Sequence, residues 1–331
     1  MTEILRVEQL KGYYRPRFGR EVRAVDNVSF SVEKGEILGI AGESGCGKST
    51  LASCIMGMFN KPLTYIDGSV LINDENIFAL SEEQRRRDVL GHKIAYIPQS
   101  AMNALNPTAK INNFIWDLFS SHLAEITRKE MLERASERTK NLGLPQRVLN
   151  NYACELSGGM KQRVIVMISS LLNPDVLIAD EPTSALDVST QKLLVKMLKD
   201  LIKQDIVKSM IFITHDLTTL RHACDRIAIM YAGELVEAGT VEQIIFDPLH
   251  PYTEALISSI LVPESEIREK ELIVIPGAPP DLKNPPPGCH FYPRCNYRKT
   301  SCEAEHPELS PYQHRLVRCS LFKEGGKKVN D

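Results

Sequence analysis

The chain has 331 residues, of which 43% are hydrophobic and 25% charged, and its formal net charge is −2. This length predicts one large domain with an appendage, or two domains, around a substantial core. The near balance of charge argues against a protein that coats nucleic acid. The sequence shows no long apolar run and no signal peptide, so we expect a cytosolic chain without a membrane span.

The first predicted elements are β-strands. Val28, Phe30 and Val32 alternate with polar residues, which is typical of a strand buried on one face. Residues 37–41 form a short apolar run that leads into a Gly-rich loop, and helix-forming residues follow over 49–58. A Gly-rich loop between a strand and a helix is the context in which phosphate-binding loops occur.

Further along, one helical segment and several strands are predicted. Residues 118–142 are rich in Glu, Lys and Arg, with apolar residues at helical spacing. Residues 176–179 and 210–213 are apolar runs typical of central strands, and 226–239 read as a hairpin that turns at Ala232-Gly233. The alternation predicts an α/β fold with a mostly parallel sheet, covered on both faces, and an antiparallel β piece near the N-terminus.

The last 84 residues differ in composition from the rest. They hold 12 of the 19 prolines, and four of the eight cysteines fall in the last 43 residues. Residues 262–288 are too rich in proline for a regular helix or central strand, so we expect a largely extended connector. Residues 323–331 read as a frayed tail.

The Gly-rich loop at 42–50, Gly-Glu-Ser-Gly-Cys-Gly-Lys-Ser-Thr, fits the pattern G-x-x-x-x-G-K-[ST]. Backbone N–H groups of such a loop converge on phosphate oxygens, and the following helix adds its positive N-terminal end. Lys48 is expected to reach the β- and γ-phosphates, and the Ser49 hydroxyl to ligate Mg²⁺. The expected contacts with the nucleotide are Gly42, Ser44, Gly45, Cys46, Gly47, Lys48, Ser49 and Thr50.

Polar residues follow two of the predicted strands at their carboxyl ends, where ligands gather in open α/β sheets. Asp180 and Glu181 follow 176–179, which suggests that Asp180 serves Mg²⁺ and Glu181 acts as general base toward a water. The alternative is a solvated acidic pair. His215 follows 210–213 and could touch the γ-phosphate, although a lone histidine is more often structural. Gln99 follows residues 95–98 and could contact Mg²⁺ or the attacking water.

The segment Leu-Ser-Gly-Gly-Met-Lys-Gln-Arg at 156–163 resembles the signature motif of ATP-binding cassette (ABC) proteins. The order of phosphate loop, Gln99, signature, Asp180-Glu181, Asp187 and His215 also matches that family. The resemblance implies a P-loop NTPase cassette with a RecA-like parallel sheet core, an antiparallel β subdomain and a helical signature subdomain. A small C-terminal lobe rich in Pro and Cys follows.

The ABC resemblance also implies a head-to-tail pair of cassettes. Ser157, Gly158 and Gly159 stand at the start of a helix predicted over 160–172, which makes a second anion site. By the resemblance, these residues contact the γ-phosphate bound to the partner cassette, and Asp187 helps to couple the two sites. Tyr14 is expected to stack on adenine, with Tyr13 as the alternative.

Residues 247–256 (Asp-Pro-Leu-His-Pro-Tyr-Thr-Glu-Ala-Leu) and 276–280 (Pro-Gly-Ala-Pro-Pro) resemble the C-terminal extension of ATP-binding subunits of dipeptide and oligopeptide importers. The resemblance implies an ABC nucleotide-binding domain over 1–247 and an importer-type extension over 248–331. It also implies ATP hydrolysis that powers peptide uptake at the cytoplasmic face of the cell membrane. The expected partners are two transmembrane permease subunits, a homologous ATP-binding subunit and, through the complex, an extracytoplasmic solute-binding protein, with no nucleic acid.

Two alternatives stay open at this point. The loop after Gln99 lacks the acidic residue that commonly follows this glutamine in the family, which leaves an importer of oligosaccharides as an alternative for the same ATPase. More remote alternatives are a soluble ABC ATPase that acts on nucleic acid or in cluster assembly. The sequence has one cassette and no long heptad run, which disfavours the nucleic-acid machines.

The late cysteines suggest a metal site, because disulfides are rare in a reducing cytosol. Cys289, Cys295, Cys302 and Cys319 contain none of the C-x₂-C pairs that zinc ribbons prefer. Four thiolates suit a [4Fe–4S] cluster, to which the family resemblance also points. Zinc and free thiols are the alternatives, and His290, His306 and His314 could replace a ligand. Because the lobe has little apolar periodicity, we expect a structural metal that stands in for a core.

Overall fold

The computed structural model describes residues 2–123, 125–184, 186–259 and 275–322. The strands are β1 (Glu3–Tyr14), β2 (Val22–Glu33), β3 (Ile37–Ala41), β4 (Leu63–Ile72), β5 (Glu75–Asn76), β6 (Ile94–Ile97), β7 (Val176–Asp180), β8 (Ser209–Ile213), β9 (Arg226–Tyr231), β10 (Glu234–Thr240), β11 (Ser310–Tyr312) and β12 (Arg315–Val317).

The α-helices of the described residues are α1 (Lys48–Ile55), α2 (Glu82–Gln84), α3 (Ala101–Ala104), α4 (Ile111–His122), α5 (Arg128–Asn141), α6 (Gly158–Ser169), α7 (Val188–Lys203), α8 (Leu217–Ala223), α9 (Val241–Phe246), α10 (Pro251–Ser258) and α11 (Ser301–Ala304). Measured against length and apolar content, no helix in these described ranges could cross a membrane.

The chain folds into two compact units, and neither is one continuous stretch. The first unit comprises Met1–Leu5, Val32–Glu36 and Leu71–Ile211, and the second comprises Arg6–Ser31, Ile37–Val70 and Phe212–Asp331. Both sides of the boundary predicted between residues 247 and 248 belong to the second unit, so that boundary stays a prediction. The predicted tail at 323–331, and residues 262–274 of the predicted connector, lie outside the described residues.

The first unit contains a parallel strand pair and most of the helices. β6 pairs with β7 from Ile94↔Val176 to Ile97↔Ala179, and every residue of β7 is buried. The prediction of one helical segment over 118–142 is wrong, because α4 ends at His122 and α5 begins after Thr127. The Thr127 side chain accepts a hydrogen bond from the Glu130 N–H while Glu130 bonds back to Thr127, a capping box that starts a new helix.

The second unit contains a mixed sheet in which the strand order is β11-β12-β10-β9-β3. β3 and β9 are parallel, while β9 and β10 form an antiparallel hairpin. The predicted turn of this hairpin is confirmed, with φ values of 49° at Ala232 and 87° at Gly233. A Cβ on Gly233 would lie 2.5 Å from the Arg23 carbonyl oxygen, so only glycine fits this turn.

The predicted strands and helices agree with the structure to within a few residues. β3 has the predicted bounds, and β7 and β8 are each one residue longer than predicted. α1 ends at Ile55, earlier than the predicted residue 58, and α6 covers Gly158–Ser169 where 160–172 was predicted. The predicted α/β class, with parallel and antiparallel pairs in one sheet, is confirmed.

Candidate nucleotide site

The predicted phosphate loop lies between β3 and α1 in the second unit, and two of its glycines are sterically required. Gly42 and Gly47 have φ values of 154° and 111°. A Cβ at position 42 would lie 2.1 Å from the Met230 carbonyl oxygen, and one at position 47 would lie 2.0 Å from that of Ala24. Only glycine allows this approach, so the backbone of the loop has the curvature that a phosphate cradle needs.

Lys48 begins α1 with its ammonium group directed into the loop. Its Nζ donates hydrogen bonds to the carbonyl oxygens of Gly42 (2.8 Å) and Glu43 (3.0 Å). The Cys46 Sγ lies 3.8 Å from the same nitrogen, but burial raises the pKa of the Cys46 thiol. Lys48 is therefore placed to exchange loop carbonyls for phosphate oxygens, and Cys46 has the character of an inert thiol.

Two neighbouring tyrosines of β1 have different environments. The Tyr14 hydroxyl lies 3.1 Å from Thr50 Oγ1 in α1, directly beyond the phosphate loop. Tyr13 is buried, and its hydroxyl donates to Asp26 Oδ1 at 2.6 Å. Tyr14 is thus the tyrosine that adjoins the phosphate-loop helix.

His215 is exposed, belongs to the second unit and follows the end of β8. The preceding residue, Thr214, donates its N–H to the Ile40 carbonyl oxygen at 3.1 Å, which places this strand end beside the end of β3. The phosphate loop begins two residues after Ile40. His215 and the loop therefore follow the carboxyl ends of neighbouring chain segments.

The acidic pair lies at the carboxyl end of β7 in the first unit. Asp180 is fully buried, and its Oδ2 accepts a hydrogen bond from the Tyr96 hydroxyl at 3.2 Å. Glu181 is also buried and has a φ of 48°. A non-glycine residue in this region is strained, and such strain concentrates at functional sites. Gln99 follows β6 in a turn and is exposed.

The signature segment and Asp187 are neighbours in the first unit. Ser157 is the N-cap of α6, and its hydroxyl accepts a hydrogen bond from the third N–H of that helix at 3.4 Å. Asp187 is the N-cap of α7 and accepts from the Thr190 N–H (3.0 Å) and hydroxyl (2.6 Å). These Thr190 hydrogen bonds lower the pKa of Asp187. A Cβ on Gly159 would lie 2.8 Å from Thr190 Cγ2, so the two helix N-termini meet here.

Gln162 is a site residue that the sequence reasoning missed. It is 4% exposed, and its Nε2 donates to the Pro182 carbonyl oxygen at 2.7 Å. Because Pro182 directly follows Glu181, this bond joins the signature helix α6 to the acidic segment. The sequence does contain one indication of a role for Gln162, which is its position inside the signature segment at 156–163.

The C-terminal region contacts the phosphate loop through Tyr252. His250 caps α10, since its Nδ1 accepts a hydrogen bond from the Tyr252 N–H at 3.0 Å, and burial lowers the pKa of His250 to about 3. Tyr252 is fully buried, and its hydroxyl accepts a hydrogen bond from the Glu43 N–H at 2.8 Å. The His-Pro-Tyr motif thereby binds the second residue of the loop.

Arg294 makes a second connection to the same loop residue, and the sequence reasoning missed it. Its two terminal nitrogens donate to the two Glu43 carboxylate oxygens at 2.7 and 2.9 Å. It also donates to the Tyr231 hydroxyl (3.3 Å) and the Pro276 carbonyl oxygen (2.8 Å). This bidentate pair is the strongest type of charged hydrogen bond. Glu43 is therefore held by the C-terminal region through both its backbone and its side chain.

The four late cysteines line one small pocket in the second unit: Cys289, Cys295, Cys302 and Cys319. The Cys289 N–H donates to the Cys302 carbonyl oxygen at 2.9 Å, which draws two of the segments together. No disulfide joins any of the eight cysteines, all of which lie among the described residues. Burial raises the pKa of Cys289 to about 11 and that of Cys319 to about 12, and the neighbouring cysteines add to both shifts.

Comparison with known proteins decides the family. The family model for ABC transporters matches residues 25–184, and that for the oligopeptide/dipeptide transporter C-terminal region matches residues 236–302. The dipeptide transport ATP-binding protein DppD of Caldanaerobacter subterraneus subsp. tengcongensis is 39% identical over 329 residues, covering 98% of this chain and 99% of that protein. The chain belongs to the ABC transporter ATPases. The oligopeptide transport ATP-binding protein OppD of Bacillus subtilis is 40% identical to this ABC ATPase, over 99% of this chain and 92% of that protein.

Solved structures confirm the cassette fold. The ATP-binding cassette MJ0796, as a dimer in a post-hydrolysis state with ADP and Pi, matches with a TM-score of 0.63 and 26% identity, over 72% of this chain and 99% of that chain. CbiO1 from Clostridium perfringens, part of the transporter complex CbiONQ, matches with a TM-score of 0.62 and 25% identity, over 75% and 92% of the two chains. The predicted family and its ATPase class are confirmed.

Proposed function

We propose that this ABC ATPase hydrolyses ATP to power the import of dipeptides or oligopeptides. The proposal is carried by one observation, the attachment of the C-terminal region to the phosphate loop. The region that matches the oligopeptide/dipeptide transporter family contributes Tyr252 and Arg294, and both bind Glu43. The part of the chain typical of peptide transporters is thus connected directly to the loop that holds the nucleotide. The names of the DppD and OppD relatives support the same substrate class.

In the proposed site, the chain binds ATP through the loop at 42–50. The backbone N–H groups of the loop and the N-terminus of α1 accept the phosphates, and the Lys48 ammonium moves from the Gly42 and Glu43 oxygens to the β- and γ-phosphates. Tyr14 stacks on adenine, for which its contact with Thr50 gives support. The burial of Tyr13 against Asp26 disfavours the alternative.

The proposed ligands of Mg²⁺ are Ser49, Gln99 and Asp180. They supply hydroxyl, amide and carboxylate oxygens, the donor set that a hard divalent cation prefers. When bound, Mg²⁺ neutralises charge on the β- and γ-phosphates.

Hydrolysis is a transfer of the γ-phosphoryl group to water. Glu181 accepts a proton from the water while the water oxygen attacks the γ-phosphorus, the bond to the bridging oxygen breaks, and ADP leaves. Lys48 and His215 stabilise the negative charge that develops on the phosphoryl oxygens. The strained backbone of Glu181, with φ at 48°, gives support to this assignment.

The proposed assembly is a head-to-tail pair with a homologous ATP-binding subunit. Ser157, Gly158 and Gly159 offer the N-terminus of α6 to the γ-phosphate on the partner, and Asp187 lies beside them through Thr190. The pair would dock on two transmembrane permease subunits at the cytoplasmic face of the cell membrane, and an extracytoplasmic solute-binding protein would deliver the peptide.

We further propose that Cys289, Cys295, Cys302 and Cys319 hold a structural [4Fe–4S] cluster. Four thiols from separate segments line one pocket, which fits the ligand set of such a cluster. Iron and acid-labile sulfide should be measured in anaerobically purified protein. Four of each per chain are expected in the wild type and in C154S, a variant of an exposed cysteine, and neither in C319S. Stoichiometric zinc without iron would contradict the cluster proposal and identify zinc as the bound metal.

The transport proposal is tested by trapping the complex with E181Q. This variant should bind ATP but hydrolyse it at least ~100-fold more slowly, because the general base is missing. After gentle solubilisation of membranes from the native host with ATP, E181Q should retain a permease pair and a second ATPase subunit. The double variant K48A/E181Q, which cannot bind ATP, is the control and should retain less. Recovery with nucleic acid instead of a permease would overturn the transport proposal.

The solute class is tested separately. The solute-binding protein recovered with the complex or encoded beside it should bind di- or oligopeptides in a calorimetric titration. Binding of oligosaccharides with no binding of peptides would contradict the peptide assignment and leave the ATPase assignment intact.

A further inference from the structure

Three polar side chains outside the nucleotide site and the cysteine pocket form a compact cluster in the second unit. They are Glu234 at the start of β10, His290 beside Cys289, and His306 after α11. Their ligand atoms all lie within 4.8 Å of one another. Glu234 Oε2 is 3.2 Å from His290 Nδ1 and 3.1 Å from His306 Nε2. One carboxylate oxygen therefore faces two imidazole nitrogens.

His290 is directed into this cluster without a hydrogen-bond partner for Nδ1. The side chain is 9% exposed, and no protein atom satisfies Nδ1. A neutral imidazole carries a lone pair on one of its two nitrogens, and that nitrogen is the one that binds a metal ion. A buried Nδ1 without a hydrogen-bond partner can serve as this ligand atom.

Glu234 is an ionised, buried carboxylate with one oxygen still directed at the two imidazoles. Burial opposes its ionisation, but the hydrogen bond from His306 and the charge of Arg318 outweigh it and lower the pKa of Glu234. Arg318 Nη1 lies 3.7 Å from the other oxygen, Oε1, and the guanidinium also donates to the Leu235 carbonyl oxygen through Nε and to that of Pro307 through Nη1. Oε2 is thus left to the histidines.

We propose that Glu234, His290 and His306 form a binding site for a divalent ion of the zinc class, separate from the cysteine pocket. With metal–ligand bonds of about 2.0–2.1 Å, adjacent ligands of a tetrahedral zinc site lie about 3.3 Å apart. The observed separations of 3.1 and 3.2 Å are close to that value. Two imidazoles select zinc-class ions over Mg²⁺ and Ca²⁺. His306 is one-third exposed, which gives it freedom to adjust and leaves room for water as fourth ligand.

The site would connect the hairpin of β9 and β10 to two segments of the cysteine-rich region. Glu234 directly follows the hairpin turn at Ala232-Gly233, whereas His290 and His306 flank the segment that carries Cys295 and Cys302. Binding of the ion should therefore stabilise the folded chain, because a ligand that binds only the folded state raises its stability.

Cobalt and zinc titrations of the full-length chain test the site. The chain is depleted of metal by a chelator, its cysteines are loaded anaerobically with iron and sulfide, and Zn²⁺ is added in competition with a chromophoric chelator. Wild type and H314A, a variant of a histidine outside the cluster, should take up one equivalent of Zn²⁺. H306A should bind that equivalent at least ~100-fold more weakly. Zn²⁺ should raise the Tm of wild type and H314A but not that of H306A.

A second measurement is independent of any substitution. Co²⁺ bound to the wild type with its cysteines loaded should show a ligand-field spectrum of nitrogen and oxygen ligation without a thiolate charge-transfer band. Equal zinc affinity in wild type and H306A, or a cobalt spectrum dominated by thiolate ligation, would overturn the proposal. The three residues would then form a hydrogen-bonded network only.

Discussion

The contact between Arg294 and Glu43 leads to a prediction about how the C-terminal region supports the phosphate loop. The Arg294 side chain is 6% exposed and that of Glu43 is 22% exposed. Replacement of Arg294 by Ala removes two charged hydrogen bonds and leaves Glu43 without its cation. The E43A variant leaves the guanidinium buried, with hydrogen bonds only to Tyr231 and Pro276.

The expected cost follows from burial and geometry. Removal of one partner from a buried ion pair costs about 3–5 kcal/mol, and water near the partly exposed Glu43 should place R294A at about 3 kcal/mol. E43A should cost a similar amount. In the double variant the second substitution has no pair left to break. We therefore expect a coupling free energy of about 2 kcal/mol, the scale of hydrogen bonds to charged groups.

Equilibrium urea unfolding of the wild type, R294A, E43A and the double variant under anaerobic conditions measures this coupling. Arg298, which is exposed and whose side chain donates one long hydrogen bond at 3.4 Å, provides the control R298A. Additivity of the two single substitutions within about 0.5 kcal/mol would refute the coupling. Because Glu43 belongs to the phosphate loop, R294A should also weaken ATP binding about tenfold, or ~1.4 kcal/mol, whereas R298A should not.

Three further predictions concern single residues of the nucleotide site. G47A should abolish ATP binding in a calorimetric titration, because the new Cβ would lie 2.0 Å from the Ala24 carbonyl oxygen. A Cβ at position 45 meets open space, so G45A should lower the free energy of unfolding by only about 1–2 kcal/mol, the conformational cost of its φ of 82°. Y14F should keep the ATP affinity of the wild type and Y14A should lower it about fivefold, since stacking needs only the aromatic ring. An equal loss of ATP affinity in both variants would point to the hydroxyl contact with Thr50 instead. D187A should lower the Tm because α7 loses its N-cap, whereas D187N should keep the cap and the Tm. An equal loss of ATPase activity in both variants would show that the function of Asp187 depends on its charge.

The local chain geometry around the candidate site could be predicted from the sequence, whereas the roles of its residues stay predictions. Gly42 and Gly47 need positive φ values, and Ser157 is an N-cap, so each is recognisable from a short motif. The error over 118–142 was also local. Thr127 and Glu130 form a capping box that is readable in the sequence, but the helical periodicity on both sides concealed the break.

The contacts that sequence did not predict join residues far apart in the chain. Arg294 and Glu43 are separated by 251 positions, and no short motif identifies an arginine that will reach the phosphate loop. The same applies to Glu234, His290 and His306, whose proximity depends on how β10 and the cysteine-rich region pack together. Such contacts depend on the path of the whole chain, for which periodicity and spacing carry no information.

The pairing of β12 with β10 has a consequence for the solubility of the protein. Without β12, β10 would expose a row of unpaired N–H and C=O groups, and an open strand edge is a template on which other chains aggregate. β12 is covered in turn by β11, which is only three residues long and contains Pro311, a residue without an N–H to donate. A short edge strand interrupted by proline is a poor template for further pairing. β11 and β12 thus protect this edge of the sheet from self-association.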